Sequence, residues 1–326
     1  MCQVSVVIPL FNEEAEVERA IESVVAQTFR EFEIVVVDDG STDRGPEIVR
    51  QVGDPRIRMV RQENAGVSAA RNRGIAEARA DLIAFLDADD QWMPEFLETI
   101  LGLRQTYPQC SVFATHYLFA DGPGCFTRPI LRGMPGDRWQ GVLEDYFAVA
   151  AKSDCPLWTS AVSANKGALQ SVDGFPVGVA SGEDLLTWAK LALKYKIAYT
   201  TRPCSLFWRP RLASDTLPRH PEVPDVVGQQ LRSLLEMVPA SQKADFRKYQ
   251  ALWHKMRASK FIAFGERREA LREIRNTIKA NGITGKLALY ACFGVLPRGL
   301  STRTFNTAHR VLRALRNRWR RDVTEA

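Results

Sequence analysis

No stretch of this 326-residue chain holds the roughly eighteen consecutive apolar residues of a membrane-spanning helix, so no transmembrane segment is expected. The first ten residues run straight into a strand pattern, without a basic segment followed by an apolar one, which argues against a secretory signal peptide. Cysteine occurs at Cys2, Cys110, Cys125, Cys155, Cys204 and Cys292, never as a C-x-x-C pair. That scatter speaks against a disulfide scaffold or a zinc site and suits a reducing, cytosolic compartment. Hydrophobic residues make up 45% and charged residues 25% of the chain, which excludes a disordered polyelectrolyte. No internal repeat is visible. Charge is unevenly spread: residues 1–100 hold 20 acidic against 10 basic side chains, and residues 241–326 hold 20 basic against 6 acidic. An acidic module with its own cation or ligand, joined to a basic surface that meets something anionic, follows from that asymmetry.

The first hundred residues alternate strand and helix signals. Strands are expected at Val4–Leu10, 33–37, Ile57–Arg61 and 82–86, with helices at 13–27, 46–52 and 68–78 between and after them. Asn12 is the expected N-cap of the first helix. This alternation predicts an α/β fold with a mostly parallel sheet, whose ligands bind at the carboxyl ends of the strands. A helix at 94–107 and a strand at 111–119 follow; residues 120–157 are loop-rich and hard to read. Extended segments are expected at 158–164 and 197–208, with a helix at Glu183–Lys194 between them. The proline-rich stretch 203–224 reads as a linker or lid. Beyond it the pattern is helical: 246–279 as one helix closed by Asn281-Gly282, then 287–296 and 304–321.

Directly after the apolar run 82–86 come Asp87-Ala88-Asp89-Asp90. Three carboxylates in four residues at the end of a buried strand need positive compensation, and a hard divalent cation such as Mg²⁺ or Mn²⁺ supplies it through oxygen ligands. The competing reading of that turn alone is a solvated acidic loop. Its position at a strand exit, beside Pro9-Leu10-Phe11 and Asp38-Asp39, favours a shared crevice.

Four segments occur in order: Val4 to Glu13, Val36-Val37-Asp38-Asp39-Gly40-Ser41-Thr42-Asp43, Asn64 to Asn72, and Asp87-Ala88-Asp89-Asp90. Together they resemble the family 2 glycosyltransferases, which have the GT-A fold, over about residues 4–215. The resemblance implies a GT-A catalytic domain at 1–215 and a helical, basic C-terminal region at 216–326. It implies that Asp39 faces uracil, whose N–H a carboxylate can accept, that Pro9 and Phe11 wall the base pocket, and that Arg71 reaches the nucleotide. Asp89 is then the main metal ligand, with Asp87 towards ribose or metal. Ser181-Gly182-Glu183-Asp184 resembles the family's acidic pair at a helix start, which makes Asp184 the general base and Glu183 an orienting group. Trp208-Arg209-Pro210-Arg211 departs from a family segment that often carries histidine where Arg211 stands; arginine cannot ligate a metal, so either the metal keeps more water and phosphate ligands or Arg211 itself neutralises the diphosphate. Trp158, Trp188 and Trp208 are candidates to stack on sugar rings of the acceptor, although tryptophans are more often core.

The tail 298–321 has eight arginines and no acid, and Phe305, Ala308, Leu312, Leu315 and Trp319 form one apolar stripe at helical spacing. That pattern suits an interfacial helix on an anionic membrane rather than nucleic acid, for which no base-reading motif is present; the competing reading is a helix packed on the catalytic domain with a solvated face. The expectation is an inverting, metal-dependent glycosyltransferase. It would move a sugar from a nucleotide diphosphate, UDP foremost, to a glycan or lipid-linked acceptor at the inner face of the cell membrane. A sugar-phosphate nucleotidyltransferase would need a glycine-rich, basic loop after the first strand, which Pro9 to Glu13 is not. A non-catalytic nucleotide-sugar-binding scaffold would keep the crevice without needing Asp184.

Overall fold

The computed structural model describes residues 2–209 and 220–282. The chain forms two compact units, residues 1–146 with 154–209, and residues 147–153 with 210–326. The strands, all in the first unit, are β1 (Val4–Leu10), β2 (Phe32–Asp38), β3 (Ile57–Arg61), β4 (Leu82–Phe85), β5 (Gln91–Trp92), β6 (Cys110–Gly122), β7 (Cys125–Thr127), β8 (Gln140–Val142), β9 (Val162–Asn165) and β10 (Lys196–Trp208). The helices are α1 (Val17–Val25), α2 (Gly45–Gln51), α3 (Val67–Glu77), α4 (Phe96–Thr106), α5 (Tyr146–Ala150), α6 (Lys166–Gln170), α7 (Glu183–Lys194), α8 (Val226–Leu234), α9 (Lys243–Phe264) and α10 (Arg267–Asn281).

The strands make one sheet in the order β3-β2-β1-β4-β9-β6-β10-β5, with β7 on β6 and β8 on β10. β3, β2, β1 and β4 run parallel, while β9 lies antiparallel to both β4 and β6. Continuous apolar runs form these strands because helices cover both faces. On one face Val4, Val6, Ile8 and Leu10 join Ile34, Val36, Leu82 and Ala84 against Val17, Ala20, Ile21 and Val24 of α1. On the other, Val35 and Val37 meet Ala70 of α3, and a Cβ on Gly74 would lie 2.2 Å from Val7. The parallel register pairs Leu10 with Asp38 and Val7 with Phe85, so the three strands end along one edge. The first unit is the mixed α/β architecture expected, and its acidic strand exits share that edge.

Three expectations need correction. Asn12 does not cap α1, which starts at Val17; it sits in left-handed backbone (φ 55°) and accepts a hydrogen bond from Thr42 N at 2.8 Å. The stretch 246–279 is not one helix, because α9 ends at Gly265 with φ 74° and α10 starts again at Arg267. Residues 203–208 belong to β10 rather than to a linker. In the second unit Phe147 packs edge-on against Phe246 and Tyr249, and Ala258 and Phe261 of α9 pack with Ile274 and Ala270 of α10. The expected helices 287–296 and 304–321, like Arg211, lie outside the described residues. No helix among the described residues is long and apolar enough to cross a membrane.

Candidate active site

At the exit of β1 and β2, Asp39 N donates to Leu10 O at 2.8 Å, which seats Asp39 beside Phe11. Asp39 is buried, and its carboxylate gathers the loop 62–66: Oδ1 accepts from Gln62 Nε2 at 2.7 Å and Ala65 N at 3.0 Å, and Oδ2 from Gly66 N at 2.8 Å. Gly40, with φ 80°, is required here because an added Cβ would lie 3.0 Å from Asn64 N. Phe11 is 46% exposed and offers a free ring face at the same edge, next to Pro9.

The acid turn after β4 is built from long-range contacts. Asp90 is completely buried; its Oδ2 accepts from Ser160 Oγ at 2.6 Å and Trp158 Nε1 at 2.8 Å, and its Oδ1 from Trp208 N at 3.3 Å. Ser160 Oγ also accepts from Asp87 N at 3.1 Å, so one hydroxyl grips both ends of the turn. Arg19 Nη2 donates to Asp89 O at 2.7 Å while its guanidinium lies 4.6 Å from the Trp208 ring centroid. Among the described residues these ties leave the Asp89 carboxyl as the turn's acid group without a side-chain partner. Ser160 and Arg19 were missed in the sequence because nothing in local spacing links them to residues about 70 positions away.

Arg71, only 4% exposed, is the bridge of the site. Nη2 donates to Asp87 Oδ1 at 2.7 Å and Nη1 to Glu183 Oε1 at 3.1 Å. A buried guanidinium favours two carboxylates over none, and these acids more than offset burial and push its pKa up. Gly182, with φ 84°, opens α7 and places Glu183 and Asp184 in its first turn. Asp184 Oδ1 accepts from Leu185 N at 2.6 Å. The structure thus brings Asp87, Arg71, Glu183 and Asp184 into one cluster that joins the acid turn to the acidic helix start.

The cluster carries excess negative charge. Burial, then Glu183, push Asp184 up to about 7, with Arg71 acting in the opposite direction. Burial, then Asp87, push Asp89 up to about 6. Glu13 is likewise raised to about 7 by burial and by Asp89. Carboxyls that raise one another in this way favour the approach of a further cation. Oxygen donors of this kind fit a hard divalent cation, with Asp89 the free ligand and Asp87 already shared with Arg71.

The tryptophans separate. Trp188 is fully buried against Phe85 and Phe175 and offers no face to a sugar, so its assignment to the acceptor is corrected: it is core. Trp158 and Trp208 are partly exposed; the first packs against Phe207 in a tilted pair with centroids 4.2 Å apart, and the second is covered by Arg19.

A different group of possible ligands lies in the helical unit, where Asp225, His254 and Glu273 approach within 4.8 Å. Arg257 already supplies the positive charge there, with Nε 2.9 Å from Glu273 Oε1 and 3.6 Å from Asp225 Oδ2. Burial alone would raise Glu273, but the bonds from His254 and Arg257 outweigh it and hold its carboxyl below the usual range. We read this group as a buried ion-pair network rather than a metal centre.

Residues 5–147 match the family model described as Glycosyl transferase family 2. Those residues form a family 2 glycosyltransferase domain. A stretch of 131 residues is 35% identical to "Glycosyltransferase GlyA" of Streptococcus pneumoniae serotype 4, covering 40% of this chain and 19% of that protein. Another of 103 residues is 42% identical to "Uncharacterized glycosyltransferase YibD" of Escherichia coli K12, covering 31% of this chain and 30% of that protein. The matched part therefore spans less than a third of either relative. Among solved structures, S. aureus TarS 1-349 in complex with UDP-GlcNAc superposes with a TM-score of 0.64 at 18% identity, covering 94% of this chain and 91% of that one. The mannosyltransferase PcManGT from Pyrobaculum calidifontis, in complex with GDP-Man and Mn²⁺, gives 0.53 at 19% identity, covering 97% and 87%. At such identity the likeness shows the fold, and the glycosyltransferase domain has the GT-A fold that the motifs implied.

Proposed function

We propose that this chain is an inverting, metal-dependent glycosyltransferase whose donor is a nucleotide diphosphate sugar, UDP-linked, and whose acceptor is a hydroxyl of a glycan or lipid-linked molecule. The observation that supports the reading is the Arg71 bridge, which ties Asp87 of the acid turn to Glu183, the neighbour of Asp184, through one buried guanidinium. A transferase needs that pairing, with leaving-group stabilisation on one side and an acceptor base on the other.

In this reading Phe11 stacks on the base, and Asp39 accepts its N–H while holding the loop 62–66 around it. Asp89, with Asp87, would hold Mn²⁺ or Mg²⁺, which when bound offsets charge on the departing diphosphate. Arg211 would add positive charge to that diphosphate. Asp184 takes the proton of the acceptor hydroxyl as its oxygen attacks the anomeric carbon; a pKa raised to about 7 suits a base working near neutrality. The bond to the nucleotide breaks as the new one forms, so configuration inverts and no covalent enzyme intermediate is needed. Titrating UDP in the presence and absence of Mn²⁺, and following UDP release from a panel of nucleotide sugars, tests this. Binding that needs the metal and release that needs Asp184 support the reading; neither is expected of a scaffold.

The C-terminal region we assign to an anionic membrane surface on the cytoplasmic side. α10 supports this, since Arg268, Arg272, Arg275 and Lys279 recur at spacings of four, three and four and are all exposed, with exposed Ile278 among them. Of the acids on α10, partly exposed Glu269 pairs with Arg272 at 2.6 Å and Glu273 is turned inward to Arg257. Juxtaposed cations and an apolar side chain fit lipid headgroups better than nucleic acid.

A further inference from the structure

Phe175 stands where three parts of the site meet, and Asn72 holds it there. The Phe175 ring packs edge-on against Phe85 of β4, with centroids 5.3 Å apart, and against Trp188 of α7 at 5.5 Å. The Arg71 guanidinium lies over the same ring, 5.1 Å from its centroid. β4 leads into the acid turn, α7 opens with Glu183 and Asp184, and Arg71 spans the two. One buried ring therefore sets the spacing between them, since close-packed interiors transmit displacement rather than absorb it.

The backbone that presents this ring is unusual. Asp173 and Gly174 are consecutive left-handed residues, with φ of 62° and 60°. Asn72, the neighbour of Arg71 on α3, closes the loop with both ends of its amide: Nδ2 donates to Phe175 O at 2.7 Å, and Oδ1 accepts from Phe175 N at 2.8 Å. An added Cβ at Gly174 would lie 2.3 Å from Asn72 Oδ1, so any side chain there, besides straining the left-handed backbone, would push Asn72 off Phe175. From α7, Thr187 Oγ1 reaches Gly174 O at 3.2 Å.

We propose that Asn72 is a positioning residue for transfer: it acts through Phe175 to fix Arg71 and the first turn of α7 against the acid turn, without touching either substrate. The inference rests on the assignment of Asp184 as base. It separates two properties that a general folding role would move together. The nucleotide pocket around Phe11 and Asp39 lies outside the contacts that Asn72 and Phe175 make, whereas the Asp184 side depends on them.

The test uses the full chain, UDP with Mn²⁺ as the binding probe, and UDP release from a nucleotide sugar that the wild type turns over. A misplacement of about 1 Å at a reacting centre costs on the order of 10²-fold, so Asn72→Ala should lower kcat about 10- to 100-fold. The Kd for UDP should stay within about threefold, because only an interaction used in the reaction is lost. Asn72→Asp keeps the acceptor for Phe175 N but loses the donor to Phe175 O and should fall between the two. Should Asn72→Ala fail to fold, Phe175→Leu keeps both backbone bonds, removes the ring and should show the same selective loss of kcat. Unchanged kcat in the variants that fold, or a UDP Kd that rises in step with the loss of kcat, overturns the proposal alone. A wild type that binds UDP but turns over no nucleotide sugar overturns the assignment of function, and this inference with it.

Discussion

Replacing Asp184 by asparagine should cost activity and add stability, and the second effect has a defined pH window. In the folded, nucleotide-free protein the carboxyl is raised from 3.8 to about 7, by burial first and Glu183 second. A raised carboxyl binds its proton more tightly folded than unfolded. That contribution is complete below the unfolded pKa, is lost as pH rises towards the folded one, and above it the ionised group sits in an unfavourable place. Each unit corresponds to about 1.4 kcal/mol, which sets a ceiling of about 4 kcal/mol; the residue is partly exposed, and screening reduces this to about 1–3 kcal/mol. Asparagine mimics the neutral acid. The variant should therefore unfold about 2–12 °C above the wild type at pH 8, taking about 2–4 °C per kcal/mol for a unit of this size, and within about a degree of it at pH 4. Its turnover should fall by about 10²–10⁴, the usual worth of a general base, with UDP binding retained. Thermal unfolding at the two pH values and UDP-release kinetics measure both halves. A variant less stable than the wild type at pH 8, or one that retains turnover, would refute the reasoning.

For the wild type, the acid limb of kcat/KM should fall away below about pH 7, and a flat profile down to pH 5 would remove Asp184 as the base. Asp89→Ala should abolish Mn²⁺-dependent UDP binding by calorimetry, and EDTA should do the same to the wild type; binding indifferent to both would contradict the assignment of Asp89. Ser160→Ala leaves Asp90 one donor short and should lower stability by about 1–3 kcal/mol in urea unfolding, whereas no loss would mean that the hydroxyl is not the clasp of the turn. In the helical unit, Glu273→Gln strands buried Arg257 and His254 and should cost about 3–5 kcal/mol. Because Glu273 is held below the usual carboxylate range, its contribution should be present above about pH 4.5 and fade as pH falls through the folded value. A chain ending at Pro297 should lose most of its sedimentation with anionic vesicles, and equal retention would dismiss the tail as an anchor.

The parts legible in the sequence are those whose cause is local or repeated. Val4–Leu10 and Ile57–Arg61 form strands with the expected bounds because apolar, β-branched runs announce two-sided burial, and Glu183–Lys194 forms the expected helix. The ordered acidic motifs marked one sheet edge because parallel strands end together. What stayed hidden depends on contacts between distant segments. Periodicity alone cannot say that Trp188 is wedged between Phe85 and Phe175, or that Asn12 bonds to Thr42 rather than to the helix beside it. The single helix expected over 246–279 failed at Gly265, where a left-handed residue lets α10 pack back on α9 and carry Glu273 to Arg257. Asn72 stands inside a motif, yet only the folded chain shows its amide clasping Phe175.

The most direct test of the central claim incubates the purified protein with a panel of UDP-, GDP- and TDP-sugars in Mn²⁺ and measures nucleotide release. The account predicts slow release of UDP from at least one UDP-sugar, lost in EDTA and lost in Asp184→Asn although that variant still binds UDP. Release that persists in both, or a protein that binds and turns over none of the nucleotide sugars, would contradict it.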